Sequence, residues 1–136
     1  MKKILLWVWQ APQNIAGLVF YEICKRRSQV HSAVRLDGKI IVWVYMNIGV
    51  SLGNYVFINR SNTMLDNTTK HELGHCKQSI LLGPLYLLIV GIPSAFFNNL
   101  WDRAFHKSWS SLERHKWYYA RFPEAWADRL GKVERV

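Results

Sequence analysis

The sequence predicts a single α+β domain in which a small antiparallel sheet packs on a helix carrying an HExxH motif and on a C-terminal helix, flanked by apolar, membrane-associated segments. Three observations predict it. Two runs of β-branched and aromatic residues are separated by a glycine-bearing stretch. Two later segments carry helix start and stop signals. A chain of 136 residues has room for one modest core, so residues 1–136 are read as one minimal unit.

At the N-terminus, Met1-Lys2-Lys3 precedes an apolar run from Ile4 to Trp9, an arrangement like that of a secretory signal. Gln10, Pro12, Gln13 and Asn14 interrupt it, and no small-residue cleavage site precedes Tyr21. Residues 4–24 therefore read as a retained membrane-surface helix or uncleaved anchor, closed by Lys25-Arg26-Arg27, with an ordinary buried helix as the alternative. Lys39 to Met46 and Tyr55 to Asn59 have strand composition, and Gly49 and Gly53 lie between them, so a β-hairpin is expected over 39–59. The polar stretch Arg60 to Thr69 offers several helix caps. The helix it starts is expected over 68–82, stopped by Gly83-Pro84. Ile80 to Phe97 carries no charge, but Gly83, Pro84, Gly91 and Pro93 break it, so 84–97 reads as a bent or re-entrant apolar segment. Residues 98–119 are basic, aromatic and helical in character. A C-terminal helix is expected over 123–131, with Pro123 opening it, Glu124 complementing its positive end and Gly131 capping it.

Half of the residues are hydrophobic and 14% are aromatic, while the formal net charge is +9. Such a charge suits nucleic acid or an anionic lipid surface. The basic clusters abut apolar stretches and no nucleic-acid signature is present, which favours a membrane surface and no nucleic acid. Cys24 and Cys76 imply no disulfide framework, and Cys76 is expected to be a packed thiol. His31 falls in a linker and is expected to be exposed.

The chemistry concentrates in His71-Glu72-Leu73-Gly74-His75. On a helix, histidines four apart lie on one face, so two imidazoles can meet one tetrahedral metal. Zinc suits a site of two nitrogens and a carboxylate with one position open for water, and Glu72 is placed to take a proton from that water. In the C-terminal helix Glu124 and Asp128 share a face. One can bind metal while the other accepts a hydrogen bond from a ligand histidine. His106 and His115 are competing third ligands. Gln78 lies one turn beyond His75. Tyr118, Tyr119, His115 and Arg121 precede Glu124, and each is a candidate for steadying an oxyanion. The strand ending near Asn59 is a candidate edge for an extended peptide.

HELGH followed by Glu-x-x-x-Asp resembles the gluzincin metallopeptidases, the thermolysin-like class. The resemblance implies His71, His75 and Glu124 as zinc ligands, Glu72 as general base and Asp128 as the acceptor that orients a histidine. The run from His71 to Tyr86, with Gly91-Ile92-Pro93-Ser94 after it, is also similar to a group of small uncharacterised bacterial proteins. These share Trp-x-x-Pro-Gln, here Trp9 to Gln13, and Ser-Leu-Gly before the HExxH. The span of 49 positions from His75 to Glu124 exceeds that of thermolysin, and the chain lacks a large second lobe. A deep cleft is not expected. The expectation is a zinc-dependent peptide-bond hydrolase of a bacterial membrane surface, acting on a peptide or protein substrate. The alternative is a non-catalytic zinc-binding or membrane-associated interaction module.

Overall fold

Gln10 divides the N-terminal helix in two. The computed structural model describes residues 1–135 and places α1 at Lys2–Trp9 and α2 at Ala11–Arg26, where one helix over 4–24 was expected. Pro12 has no N–H to return to the carbonyl of Val8, and Gln10 leaves helical geometry at φ −104°, ψ 19°. The first half of α2 buries polar side chains and exposes apolar ones: Gln13 and Asn14 face inward, while Ile15, Leu18 and Val19 face outward. Its second half turns Phe20, Tyr21 and Cys24 inward, with Ile23 outward.

Four strands follow: β1 Val30–Leu36, β2 Lys39–Val44, β3 Gly49–Leu52 and β4 Tyr55–Asn59, in the spatial order β1-β2-β4-β3. β1 was not expected. Its side chains are almost all exposed, so it lacks the apolar alternation of a half-buried strand. Asp37-Gly38, at φ 50° and 78°, turns it directly into β2. The sheet is mixed rather than antiparallel, and residues 39–59 do not form one hairpin: β2 and β4 are parallel neighbours, and β3 pairs antiparallel with β4 on its far side. The reason is burial. Ile41, Val42, Val56, Phe57 and Ile58 are sealed from solvent, and strands covered on both faces belong at a sheet's centre, beside one another.

Each face of the sheet carries part of the core. Val42, Val44, Tyr55 and Phe57 pack with Phe20 and Tyr21 of α2, Phe20 meeting the Phe57 ring edge-on at 4.7 Å. On the other face, Ile41, Val56 and Ile58 pack with Cys76 and Leu73 of α3, which runs Asn67–Leu82. Burial of each such aliphatic side chain contributes about 1.5–3 kcal/mol. Cys76 is the packed thiol expected, its pKa pushed by burial up to about 12. Asp66 begins α3, and its carboxylate accepts from the Thr63 N–H at 2.8 Å and hydroxyl at 2.9 Å.

Gly83 ends α3 at φ 54°, and the chain continues through a tight turn at Gly83–Leu85 into wide π-type helical turns at Leu87–Gly91 and Pro93–Leu100. The chain bends by 119° between residues 67–85 and 87–105, at the start of the segment expected to be bent. Among the described residues, no single helix is long and apolar enough to cross a membrane. α4 spans Trp101–Phe105, and α5, Ser111–Tyr119, opens with a reciprocal Ser110–Glu113 capping box.

α6 covers Glu124–Gly131 with Pro123 as its N-cap. Lys132, not Gly131, takes the left-handed conformation after the helix, at φ 55°. Gly131 serves close packing instead. A Cβ there would lie 2.1 Å from the Lys70 carbonyl oxygen, and one on Gly74 would lie 2.0 Å from that of Ala127. α3 and α6 therefore touch backbone to backbone at two points.

Candidate metal centre

The contact at Gly74 sets Glu124, one turn before Ala127, against the histidines on α3. His71 Nε2 lies 2.9 Å and His75 Nε2 3.1 Å from Glu124 Oε2, and the two nitrogens are 3.1 Å apart. All three residues are buried, and they form a group that can hold a metal ion. The far sides of the imidazoles determine what they present. His71 Nδ1–H donates to Asp128 Oδ1 at 2.7 Å, and His75 Nδ1–H donates to Gln78 Oε1 at 2.6 Å. Gln78 is held in that orientation because its amide donates to the Pro123 carbonyl at 3.0 Å. With Nδ1 protonated on both rings, the neutral imidazoles aim two Nε2 lone pairs at a carboxylate oxygen. Three acceptors converging at hydrogen-bond distance require a cation or a shared proton between them, so the donor set fits a metal.

A shared proton satisfies the same cluster, and the electrostatics describe that protonated form. Burial disfavours a charge on His71, but its hydrogen bonds to Asp128 and Glu124, with the field of Glu72, outweigh it and raise the pKa to about 9. Burial works against the Glu124 anion too. Hydrogen bonds from both imidazoles and from Ser94 overcome it and hold the carboxyl well below the usual range. Asp128 follows the same pattern, its burial outweighed by His71 and by Arg135, whose guanidinium donates at 2.5 and 2.8 Å.

Glu72 leaves the ligand cluster and faces β3. Burial pushes its pKa up, against the pull of His75 and His71 and a hydrogen bond from Ser51. Ser51 Oγ lies 3.0 Å from Glu72 Oε2 and 2.7 Å from the Glu72 carbonyl. A Cβ on Gly49 would meet Glu72 Oε1 at 2.8 Å, so a side chain there would displace the carboxylate from its present position. β3, Glu72, the three candidate ligands and Tyr118 line one open cavity of about 600 Å³.

The other expected residues divide. Tyr118 lines the cavity beside Ser94, its hydroxyl kept protonated by burial. Tyr119 also reaches it but is committed to packing: its ring meets His71 edge-on at 5.0 Å and Arg135 lies 3.4 Å over its face. His115 stands at the exposed rim, 3.3 Å from an Arg135 nitrogen, its pKa lowered by burial and by that cation. Arg121 turns away to Asn98 and Trp117. His106 stacks on Trp109 at 3.7 Å and bonds to Asp102, away from the metal group. His31 lies on β1 rather than in a linker, and is exposed as expected. The strand ending at Asn59 is flanked on both sides, so the free edge at the cavity belongs to β3. Ser51, Ser94 and Arg135 were not singled out as site residues. Ser51 and Ser94 fall in the Ser-Leu-Gly and Gly-Ile-Pro-Ser runs already noted, the one sequence signal that could have found them, whereas Arg135 carries none.

Comparison with protein families, with curated proteins and with solved structures returned no match.

Proposed function

We propose that the chain is a zinc-dependent peptide-bond hydrolase of the gluzincin kind. The observation that carries the reading is the convergence of His71 Nε2, His75 Nε2 and Glu124 Oε2 beside a separate buried carboxylate, Glu72, on one cavity. His71, His75 and Glu124 would hold the ion. When bound there, zinc supplies a Lewis acid that polarises a carbonyl and lowers the pKa of water.

The protein's own groups account for the proton traffic. Glu72 takes a proton from the attacking water as its oxygen bonds to the scissile carbonyl carbon. It then returns that proton to the amine nitrogen as the C–N bond breaks. Burial raises the basicity of Glu72, and the Ser51 hydroxyl holds one of its oxygens in place. Tyr118 is the oxyanion donor the geometry favours, being protonated, at the cavity wall and free of the clamp that binds Tyr119. An extended substrate would add to the β3 edge. The Asn59 N–H donates to the Ile48 carbonyl, so by strand alternation Gly49 and Ser51 direct their backbone groups away from β4. The Ser51 carbonyl there accepts from the Tyr86 hydroxyl at 3.4 Å, so the pairing would fall on Gly49.

A structural zinc site is closed by four protein ligands, whereas the group found among the described residues has three. This supports the catalytic reading over the interaction module. Glu72→Gln tests it. The variant should bind zinc with wild-type stoichiometry and lose cleavage of a quenched-fluorescence peptide library, with Tyr118→Phe lowering kcat in the same assay. Undiminished cleavage by Glu72→Gln would remove the proposed mechanism.

A further inference from the structure

We propose that the outward face of α1, α2 and the 85–105 segment inserts into the acyl-chain layer of one leaflet of an anionic bilayer. The carrying observation is the inverted polarity of the first half of α2. Gln13 and Asn14 are 0% exposed, whereas their neighbours Ile15 and Val19 are 52% and 53% exposed. The inward amides are built into the structure: Gln13 donates to Ser79 Oγ at 2.8 Å and to the Gly83 carbonyl at 2.9 Å, Ser79 Oγ donates to Gln10 Oε1 at 2.6 Å, and Asn14 donates to the Trp7 carbonyl at 3.0 Å. In water the outward aliphatic surface is left hydrated, which is unfavourable, whereas the inward amides are bonded within the protein. Against hydrocarbon that outward surface is favourable, because apolar side chains meet lipid while polar ones join helices internally.

A second surface continues the first. Leu88, Ile92, Phe96 and Leu100 recur every four residues and are all exposed, while Val90, Gly91 and Ser94 of the same segment turn to the cavity. The two surfaces join where the Trp9 indole donates to the Ile80 carbonyl and covers Gly83. Exposed basic residues bracket the combined face, with Lys2 and Lys3 at the start of α1, Arg26 and Arg27 at the end of α2, and Arg103 and Lys107 after the apolar segment. Trp7, Trp9 and Trp101 of these segments are half exposed, and indoles are enriched at headgroup level. This charge selects the occupant. A second copy of a +9 chain would be repelled, whereas anionic headgroups are attracted. No single described helix is long and apolar enough to cross, and the pair 67–85 and 87–105 folds back by 119°, the geometry of a segment that enters and leaves on one side.

The test uses the full chain carrying an environment-sensitive fluorophore on Val19→Cys, Phe96→Cys or, as control, Ser32→Cys on exposed β1. Cys24 and Cys76, 2% and 1% exposed, are shielded from the label. With phosphatidylglycerol-containing vesicles, the labels at 19 and 96 should be quenched by acyl-chain nitroxides and protected from aqueous iodide, while the label at 32 stays open to iodide. Replacing Arg26 and Arg27 with Gln should weaken vesicle binding roughly thirtyfold. Continued iodide access at 19 and 96 would overturn the proposal. Protection from iodide without nitroxide quenching would also overturn it, because a protein would then be covering the face. Neither readout depends on catalysis.

Discussion

Gly74→Ala tests whether the backbone contact between α3 and α6 sets the metal site. The added methyl would lie 2.0 Å from the Ala127 carbonyl oxygen and 2.8 Å from its carbon, where ordinary contact begins at 3.4 Å. Both atoms are backbone, so relief requires α6 to recede by more than an ångström, taking Glu124 with it. Overpacking of this kind costs about 1–3 kcal/mol, and the better helix propensity of alanine returns up to about 1 kcal/mol. The net expectation is a loss of about 1–2 kcal/mol, read as a drop of roughly 5 °C in the Tm of metal-free protein. Metal–ligand distances tolerate only about 0.2 Å, so zinc affinity measured by calorimetry should fall by about 10–100-fold. Gly38→Ala is the control: its left-handed turn, φ 78°, is open and belongs to the β1–β2 hairpin, so the strain it introduces should leave zinc affinity alone. Gly74→Ala with wild-type Tm and wild-type affinity would refute the reasoning.

The His71 pKa of about 9 makes metal binding a competition with one proton. Because the folded value lies above the unfolded value of 6.5, protonated His71 stabilises metal-free protein fully below 6.5, and this contribution is lost as pH rises through about 9. Zinc affinity should therefore climb about tenfold per pH unit between those limits and level off above, measured against a competing chelator. Asp128→Asn, which lacks the carboxylate that stabilises the imidazolium, should shift the levelling to lower pH, and a flat wild-type profile would exclude the linkage. Ser51→Ala removes a hydrogen bond that lowers the Glu72 pKa, so the acid limb of kcat/KM should move to higher pH at unchanged zinc content. An unmoved limb would mean that another group titrates.

The readable parts of the chain were those written in local periodicity. HELGH places its histidines one turn apart whatever surrounds it, and Glu124 with Asp128 share a face for the same reason. The capping signals around Asp66 and Gly83 bounded α3 closely. Strand partnership is different. β2 and β4 are separated by a chain segment that itself becomes a strand, and nothing in Ile40–Val44 states whether its partner runs alongside or against it. β1 lacked the apolar alternation that announces a strand, and its one strong signal was Asp37-Gly38. Ser51 reaches Glu72 only because β3 closes the sheet edge over α3. Arg135 reaches Asp128 only because the chain turns back after the left-handed Lys132. Such contacts are products of topology, so no window of sequence contains them.

The sheet order also bears on how the protein forms. β3 and β4 are joined by a two-residue turn, whereas β4 reaches β2 only by passing back between β2 and β3. The hairpin is the local event and its docking on β2 the non-local one, so the route with the smaller loop-closure entropy pairs β3 with β4 first and inserts them as a unit. The edge strand holding Ser51 then arrives with the central core strand, and the Glu72 pocket assembles with the sheet. Gly53, at φ 64° and crowded by Asn14 Oδ1, is the pivot of that hairpin. Gly53→Ala should slow refolding in stopped-flow more than it speeds unfolding, and the reverse partition would place the hairpin after the rate-limiting step.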